Sequence, residues 1–151
     1  MNVTKIASIK KELIVETSQE IAFEVFTEKI DLWWPRTHHI GKSPMVELVL
    51  EPRLNGRWYS RHEDGTEANV GYILKWDPYA LLVLAWQVNG DFRFDPELIT
   101  EVVVHFIPEG PETTRIKLEH KDLDRLGGGK AVESMDEGWG MILEWYKGKI
   151  G

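Results

Sequence analysis

The residues able to do chemistry are few and scattered. His38-His39 follows a Trp33-Trp34-Pro35 turn. Adjacent histidines on extended chain point apart and are poorly placed to share a metal. Held over a cavity mouth, His38 would meet the polar end of a ligand. Glu101 and His105 have a metal-like spacing for a helix. On a strand that spacing covers about 13 Å, so the two cannot chelate one ion. They read as wet-face residues. His120 ends a strand with the parity of Ile116 and Leu118. It is either a hydrogen-bonded core histidine or a titrating ligand contact at a cavity rim. Gly127-Gly128-Gly129-Lys130 is glycine-rich like a phosphate loop, but such a loop needs Ser or Thr after the Lys and a strand before it. Ala131 follows here, so the stretch reads as a hinge. There is no nucleophile elbow, and no nucleophile–base–orienter set can be assembled from sequence order. A pocket built from distant residues would escape this reading.

The aromatic residues carry more. The chain has seven Trp, each able to bury about 150–250 Å². In a chain of 151 residues that means a heavily aromatic core or an aromatic-lined cavity. Trp33, Trp34, Trp58, Trp86 and Trp139 are the best wall candidates. Trp86 shares strand parity with Leu82 and Leu84. Val102 and Val104 alternate with Glu101 and His105, and Leu143 shares a helical stripe with Trp139. The candidate ligand contacts are therefore Trp33, Trp34, His38, Trp58, Leu84, Trp86, Val102, Val104, His120, Trp139 and Leu143. Trp76 has unclear parity, because Gly71 upstream is a bulge signal.

These residues need elements to position them. A strand is expected over Ile6 to Val15, then a helix opened by Thr17-Ser18-Gln19-Glu20, which fits a capping box with Thr17 as the cap. Ile21, Ala22, Val25 and Phe26 follow at helical spacing. Pro35 stops that helix, leaving Leu32 to Pro35 in a turn or short second helix. Strands follow at Met45–Glu51, Arg57–Glu63, Glu67–Trp76, Leu81–Gln87, Thr100–Phe106 and Thr113–His120. Asn55-Gly56, Asp64-Gly65, Asp77-Pro78 and the stretch from Pro108 to Pro111 supply turns. Ser134-Met135-Asp136-Glu137 fits a second capping box. From there Met135, Trp139, Ile142, Leu143, Tyr146 and Ile150, with Val132 before them, form one apolar stripe. It needs the apolar face of the sheet as partner. Gly138 and Gly140 flank Trp139, each costing about 1 kcal/mol relative to Ala. Close backbone approach to the sheet would compensate, and so would room for a guest molecule.

Bulk properties exclude several classes. With 42% hydrophobic and 28% charged residues the chain reads as one globular domain, 1–151. The net charge of −7 argues against nucleic acid and against anionic membrane surfaces. No apolar run approaches the ~20 residues of a bilayer span, and Met1 to Lys11 has no signal-peptide core. There is no cysteine, which excludes disulfides, thiolate catalysis and cysteine-held zinc. A cytoplasmic location follows by elimination. No cofactor is implied.

Taken together, Trp33-Trp34-Pro35, Asn55-Gly56-Arg57-Trp58, Gly71 with Asp77-Pro78, Trp86, Thr100-Glu101-Val102, His120 and Gly138-Trp139 resemble the activator of heat shock protein 90 ATPase homologue-like family. That family belongs to the SRPBCC superfamily, with START domains and birch-pollen-allergen-like proteins. The resemblance covers nearly the whole chain; each motif is short, and their order and spacing carry it. It implies an α+β helix-grip fold: a curved antiparallel sheet of six or seven strands around a long C-terminal helix, with one or two short helices after the first strand. Superfamily members mostly bind hydrophobic ligands, and a minority are enzymes. The expected function is binding of a small hydrophobic or aromatic molecule between sheet and helix. A chaperone-interaction module in a stress-response setting, and a hydrolase, cyclase or dehydratase using the same cavity, stay open. The named activator carries a separate N-terminal domain that this sequence does not contain. One departure is Arg53-Leu54-Asn55-Gly56, where the family more often has paired glycines; a stiffer loop is expected. Val83 and Ala85, on the outer face of their strand, leave room for a homodimer partner.

Overall fold

Alternation along the strands decides which face is buried. Val102, Val104 and Phe106 are buried, while His105 between them is exposed. The computed structural model describes residues 8–126 and 129–150. Its elements are β1 (Ile9–Val15), α1 (Gln19–Phe26), β2 (Met45–Leu50), β3 (Arg57–His62), β4 (Glu67–Asp77), β5 (Leu81–Trp86), β6 (Thr100–Gly110), β7 (Thr113–His120) and α2 (Gly129–Ile150). A 3₁₀ turn, Ile30–Leu32, follows α1, and another, Leu123–Leu126, follows β7. The strands form one antiparallel sheet in the order β1-β7-β6-β5-β4-β3-β2. From β2 to β7 it is a meander, and β7 returns to pair with β1.

Bulges curl this sheet into a half-barrel. Val46, Val70, Leu74 and Glu109 are each an extra residue in their ladder, which bends a strand and sharpens its twist. The bulge at Leu74 also settles Trp76. It resets the alternation, so Trp76 lies on the inner side with its ring 5.0 Å from Phe23. β6 runs on past Phe106 through Pro108, because the bulge at Glu109 accommodates a residue that cannot donate to the ladder.

α2 lies across the concave face. Its stripe is buried at Trp139, Ile142, Leu143 and Tyr146. This is the helix-grip arrangement. Two helix starts differ from expectation. The cap of α1 is Ser18, whose hydroxyl accepts from Ile21 N–H; Thr17 instead gives its carbonyl to the Thr114 hydroxyl. α2 begins at Gly129, so Ser134 is an interior residue. Lys130, Ala131 and Glu133 are good enough helix formers to extend it upstream. Of the glycine run, residues 127–128 lie outside the described residues, as does the start of the first expected strand. Asn55 takes a left-handed conformation at φ 64°, which Asn tolerates. At Gly56 a Cβ would fall 2.1 Å from the Glu51 carbonyl oxygen, so that backbone approach requires glycine. Val83 and Ala85 are buried within the chain; they sit opposite Lys75 and Tyr72 and offer no exposed surface to a second copy. No helix among the described residues is long and apolar enough to cross a membrane.

Two aromatic clusters fill the interior. At the α1 end, Phe26 packs against Trp33, Phe106 and Tyr146. The Tyr146 hydroxyl donates to the Ala22 carbonyl at 2.7 Å, and burial pushes its pKa up. Tyr146→Phe removes that bond, and the expected loss is about 0.5–1.5 kcal/mol of stability. Urea denaturation reads it; an unchanged midpoint would show the bond is replaced by water.

Candidate functional site

The second cluster borders an opening. Beneath the first half of α2, facing β2 to β5, lies a cavity of about 240 Å³. Leu48, Ser60, Val70 and Trp86 supply its floor, one from each of those strands. Trp34 and the segment from Thr37 to Ile40 form one side, Val88 and Phe92 another. The roof is α2, through Ser134, Met135, Gly138, Trp139 and Ile142. Thr37 and Phe92 border the mouth, and the Phe92 ring is exposed there. Phe92 holds a left-handed backbone at φ 59°, uncommon for a bulky residue.

Local structure places the Trp34 side. Asp31 in the 3₁₀ turn accepts from the Leu48 N–H and from Arg36, tying the turn to β2. Trp33 then points inward and donates to the Val25 carbonyl. Trp34 donates to the His38 carbonyl, which folds the following segment over the cavity.

The helix glycines distinguish packing from space. Among the described residues, a Cβ built on Gly138 meets nothing within 4 Å, and one on Gly140 meets only Lys11 Nζ at 3.9 Å. Close backbone approach is therefore not what these glycines serve. Gly138 faces the cavity, and its missing side chain is part of the opening.

Behind the wall sits His120, with no solvent exposure. Trp139 Nε1 donates to its Nδ1 at 3.1 Å. Nδ1 is then the acceptor, so Nε2 carries the proton and donates to Thr100 Oγ1 at 2.8 Å. The Thr100 hydroxyl donates onward to the Trp86 carbonyl. The chain fixes Trp139 against Trp86, whose rings are 5.8 Å apart. Burial pushes the His120 pKa down from 6.5 to about 3. The unfolded chain takes up that proton below pH 6.5 and the folded chain does not. The stabilisation is complete above pH 6.5 and falls by about 1.4 kcal/mol per pH unit down to pH 3. Between pH 7 and pH 5 the expected loss through His120 is about 2 kcal/mol. Denaturant midpoints across that range should fall, and His120→Gln should flatten the fall; an equally steep profile in the variant would refute it.

Of the sequence-predicted contacts, Trp34, His38, Trp86 and Trp139 lie on the cavity wall. Trp33 belongs to the Tyr146 cluster. Trp58, Leu84, Val102, Val104, His120 and Leu143 are buried without lining it. Sequence reasoning missed His39, Ser60, Val70 and Phe92 as wall, while for Gly138 room for a guest was one of its two readings. Ser60 shares the parity of Trp58 on β3, a signal that was available; the loop residues offered none.

The wall carries no formal charge among the described residues. Burial pushes both His38 and His39 down, and for His39 the neighbouring His62 adds to it. Both are neutral at pH 7. Among the described residues no group of three His, Cys, Asp or Glu could hold a metal.

Comparison with known proteins agrees with the fold. No curated protein matches the sequence. CalC from Micromonospora echinospora, a self-sacrificing resistance protein, is 33% identical, with 95% of this chain and 94% of CalC covered and a TM-score of 0.71. The anthrahydroquino-γ-pyrone synthase Txn09, solved as a complex, is 32% identical over 95% of this chain and 96% of its own, with a TM-score of 0.66. An HSP90 activator from Plasmodium falciparum, 18% identical, shares the fold at a TM-score of 0.60, over 88% of this chain and 87% of its own. The family model described as activator of Hsp90 ATPase homolog 1-like protein matches residues 16–145. The chain therefore belongs to the activator of Hsp90 ATPase homolog 1-like family.

Proposed function

We propose that this chain binds a small, uncharged aromatic molecule in the cavity between the sheet and α2. The observation that carries the reading is the wall: indole rings on three sides, no formal charge among the described lining residues, and a glycine where a helix side chain would fill the space. An apolar cavity of about 150 Å³ accepts benzene, so 240 Å³ suits one or two fused rings. Among the described residues His39 Nδ1 is buried without a hydrogen-bond partner. Buried polar atoms are ordinarily paired, and a ligand hydroxyl or carbonyl would pair this one.

One neighbour at about one-third identity, Txn09, supports an aromatic ligand, since the product it is named for is a fused ring system. Txn09 also favours a second reading, chemistry of cyclase, hydrolase or dehydratase type in the same cavity. The chaperone reading rests on the family's description alone, because the solved activator is too distant to carry more than the fold. Titration with the uncharged two-ring fluorophore 1-naphthylamine tests the main reading. A saturable rise at one probe per chain is expected; a weak, unsaturable rise would contradict it.

A further inference from the structure

β3 carries Trp58, Ser60 and His62 on its buried face. Ser60 Oγ lies 2.7 Å from His62 Nε2. The other ring nitrogen, Nδ1, lies 2.8 Å from the Ser43 carbonyl oxygen. A carbonyl only accepts, so Nδ1 carries the imidazole proton and donates it. Nε2 is left as an acceptor, and the Ser60 hydroxyl donates to it. The rival acceptor for that hydroxyl, the Ala68 carbonyl, is 3.4 Å away.

The surroundings hold this tautomer in place. A Cβ on Gly41 would fall 2.3 Å from the His62 ring, so only glycine lets the segment before β2 pass over the imidazole. The Glu63 N–H donates to the Pro44 carbonyl and pins that segment beside Ser43. The His39 ring packs against His62 at 4.9 Å. His62 is almost wholly buried, and Ser60 belongs to the cavity wall. A hydroxyl at the wall, a base behind it and an acceptor orienting that base make up the arrangement that activates serine nucleophiles.

We propose that Ser60 is a nucleophile toward small, uncharged aryl esters, with His62 as its base. The inference rests on the cavity admitting an apolar molecule. Ser60 Oγ forms a bond to the ester carbonyl carbon while its proton passes to His62 Nε2. The bond from that carbon to the aryloxide breaks, and His62 returns the proton to the departing oxygen. The products are a phenol and an acyl ester on Ser60. Water hydrolyses that ester by the same route, giving a carboxylic acid and free Ser60.

p-Nitrophenyl acetate tests this on the unaltered chain. A burst of one nitrophenol per chain ahead of slower turnover is expected, with the acetyl group trapped during the burst and located on Ser60 by peptide mass spectrometry. His62→Gln should slow acetylation by about a hundredfold or more, and Ser60→Ala should leave the β3 peptide unlabelled. Acetyl found only on lysines or on His38 and His39, or no acetyl at all, overturns the proposal. The label is read on the native protein, so the outcome does not depend on how a variant folds. The naphthylamine titration run beside it separates the two readings. Saturable probe binding with Ser60 unlabelled removes the nucleophile and leaves the cavity reading standing. Labelled Ser60 without probe binding removes the aromatic-ligand reading instead.

Discussion

Trp139→Ala is expected to abolish naphthylamine binding and to cost about 3–5 kcal/mol of stability. Three losses combine. The side chain is among the largest fully buried ones, so its removal leaves a void under α2. His120 Nδ1 loses its donor and becomes an unpaired buried acceptor, worth about 1–3 kcal/mol. The indole also stops facing Trp34 and Trp86, ring contacts of 6.1 and 5.8 Å that shape the wall. Trp139→Phe separates these parts. It keeps an aromatic ring under α2 while deleting the donor and part of the indole, so probe binding should persist while stability falls by about 1–3 kcal/mol. Urea denaturation and probe titration measure both. Full probe binding by Trp139→Ala would mean that the probe sits elsewhere.

Gly138→Leu is expected to move stability and binding in opposite directions. The helix gains about 1 kcal/mol from replacing an interior glycine, and the new side chain enters open space rather than a packed neighbour. It fills the volume assigned to the ligand. The apolar contacts it displaces are worth about 1.5–3 kcal/mol, so affinity should fall by about ten- to a hundredfold. A void that served nothing would give the stability gain alone. If Gly138→Leu unfolds the protein, the space beneath α2 is smaller than described; if it binds the probe unchanged, the cavity is not the site.

The legibility of this chain follows its periodicity. Val102 to Phe106 and Ile116 to Leu118 alternate so cleanly that the buried face of β6 and β7 could be read directly, and the stripe from Met135 to Tyr146 predicted which side of α2 is covered. Where one residue is inserted, the reading drifts. Leu74 as a bulge moved Trp76 to the inner face, and Glu109 carried β6 past Pro108. Short capping motifs were legible as helix starts near Ser18 but misled at Ser134, because Ser-x-x-Glu also occurs inside a helix. The site was harder. Four indole and imidazole wall residues were visible by type and parity, yet the cavity depends on an absent side chain at Gly138 and on a loop, Thr37 to Ile40, that has no period. The Ser60–His62 pair lay in plain alternation. Its orienting partner, Ser43, is distant in sequence and becomes adjacent only when β2 pairs with β3.

The proposed function requires α2 to span the sheet while leaving a chamber under Gly138 that an aromatic molecule enters. A crystal structure of the protein soaked with 2-naphthol tests this most directly. Ring density is expected between Gly138 and Trp86, with the naphthol oxygen within hydrogen-bonding reach of His39. A chamber closed by Met135 and Phe92 with no density inside, or naphthol bound only on the outer surface, would contradict it.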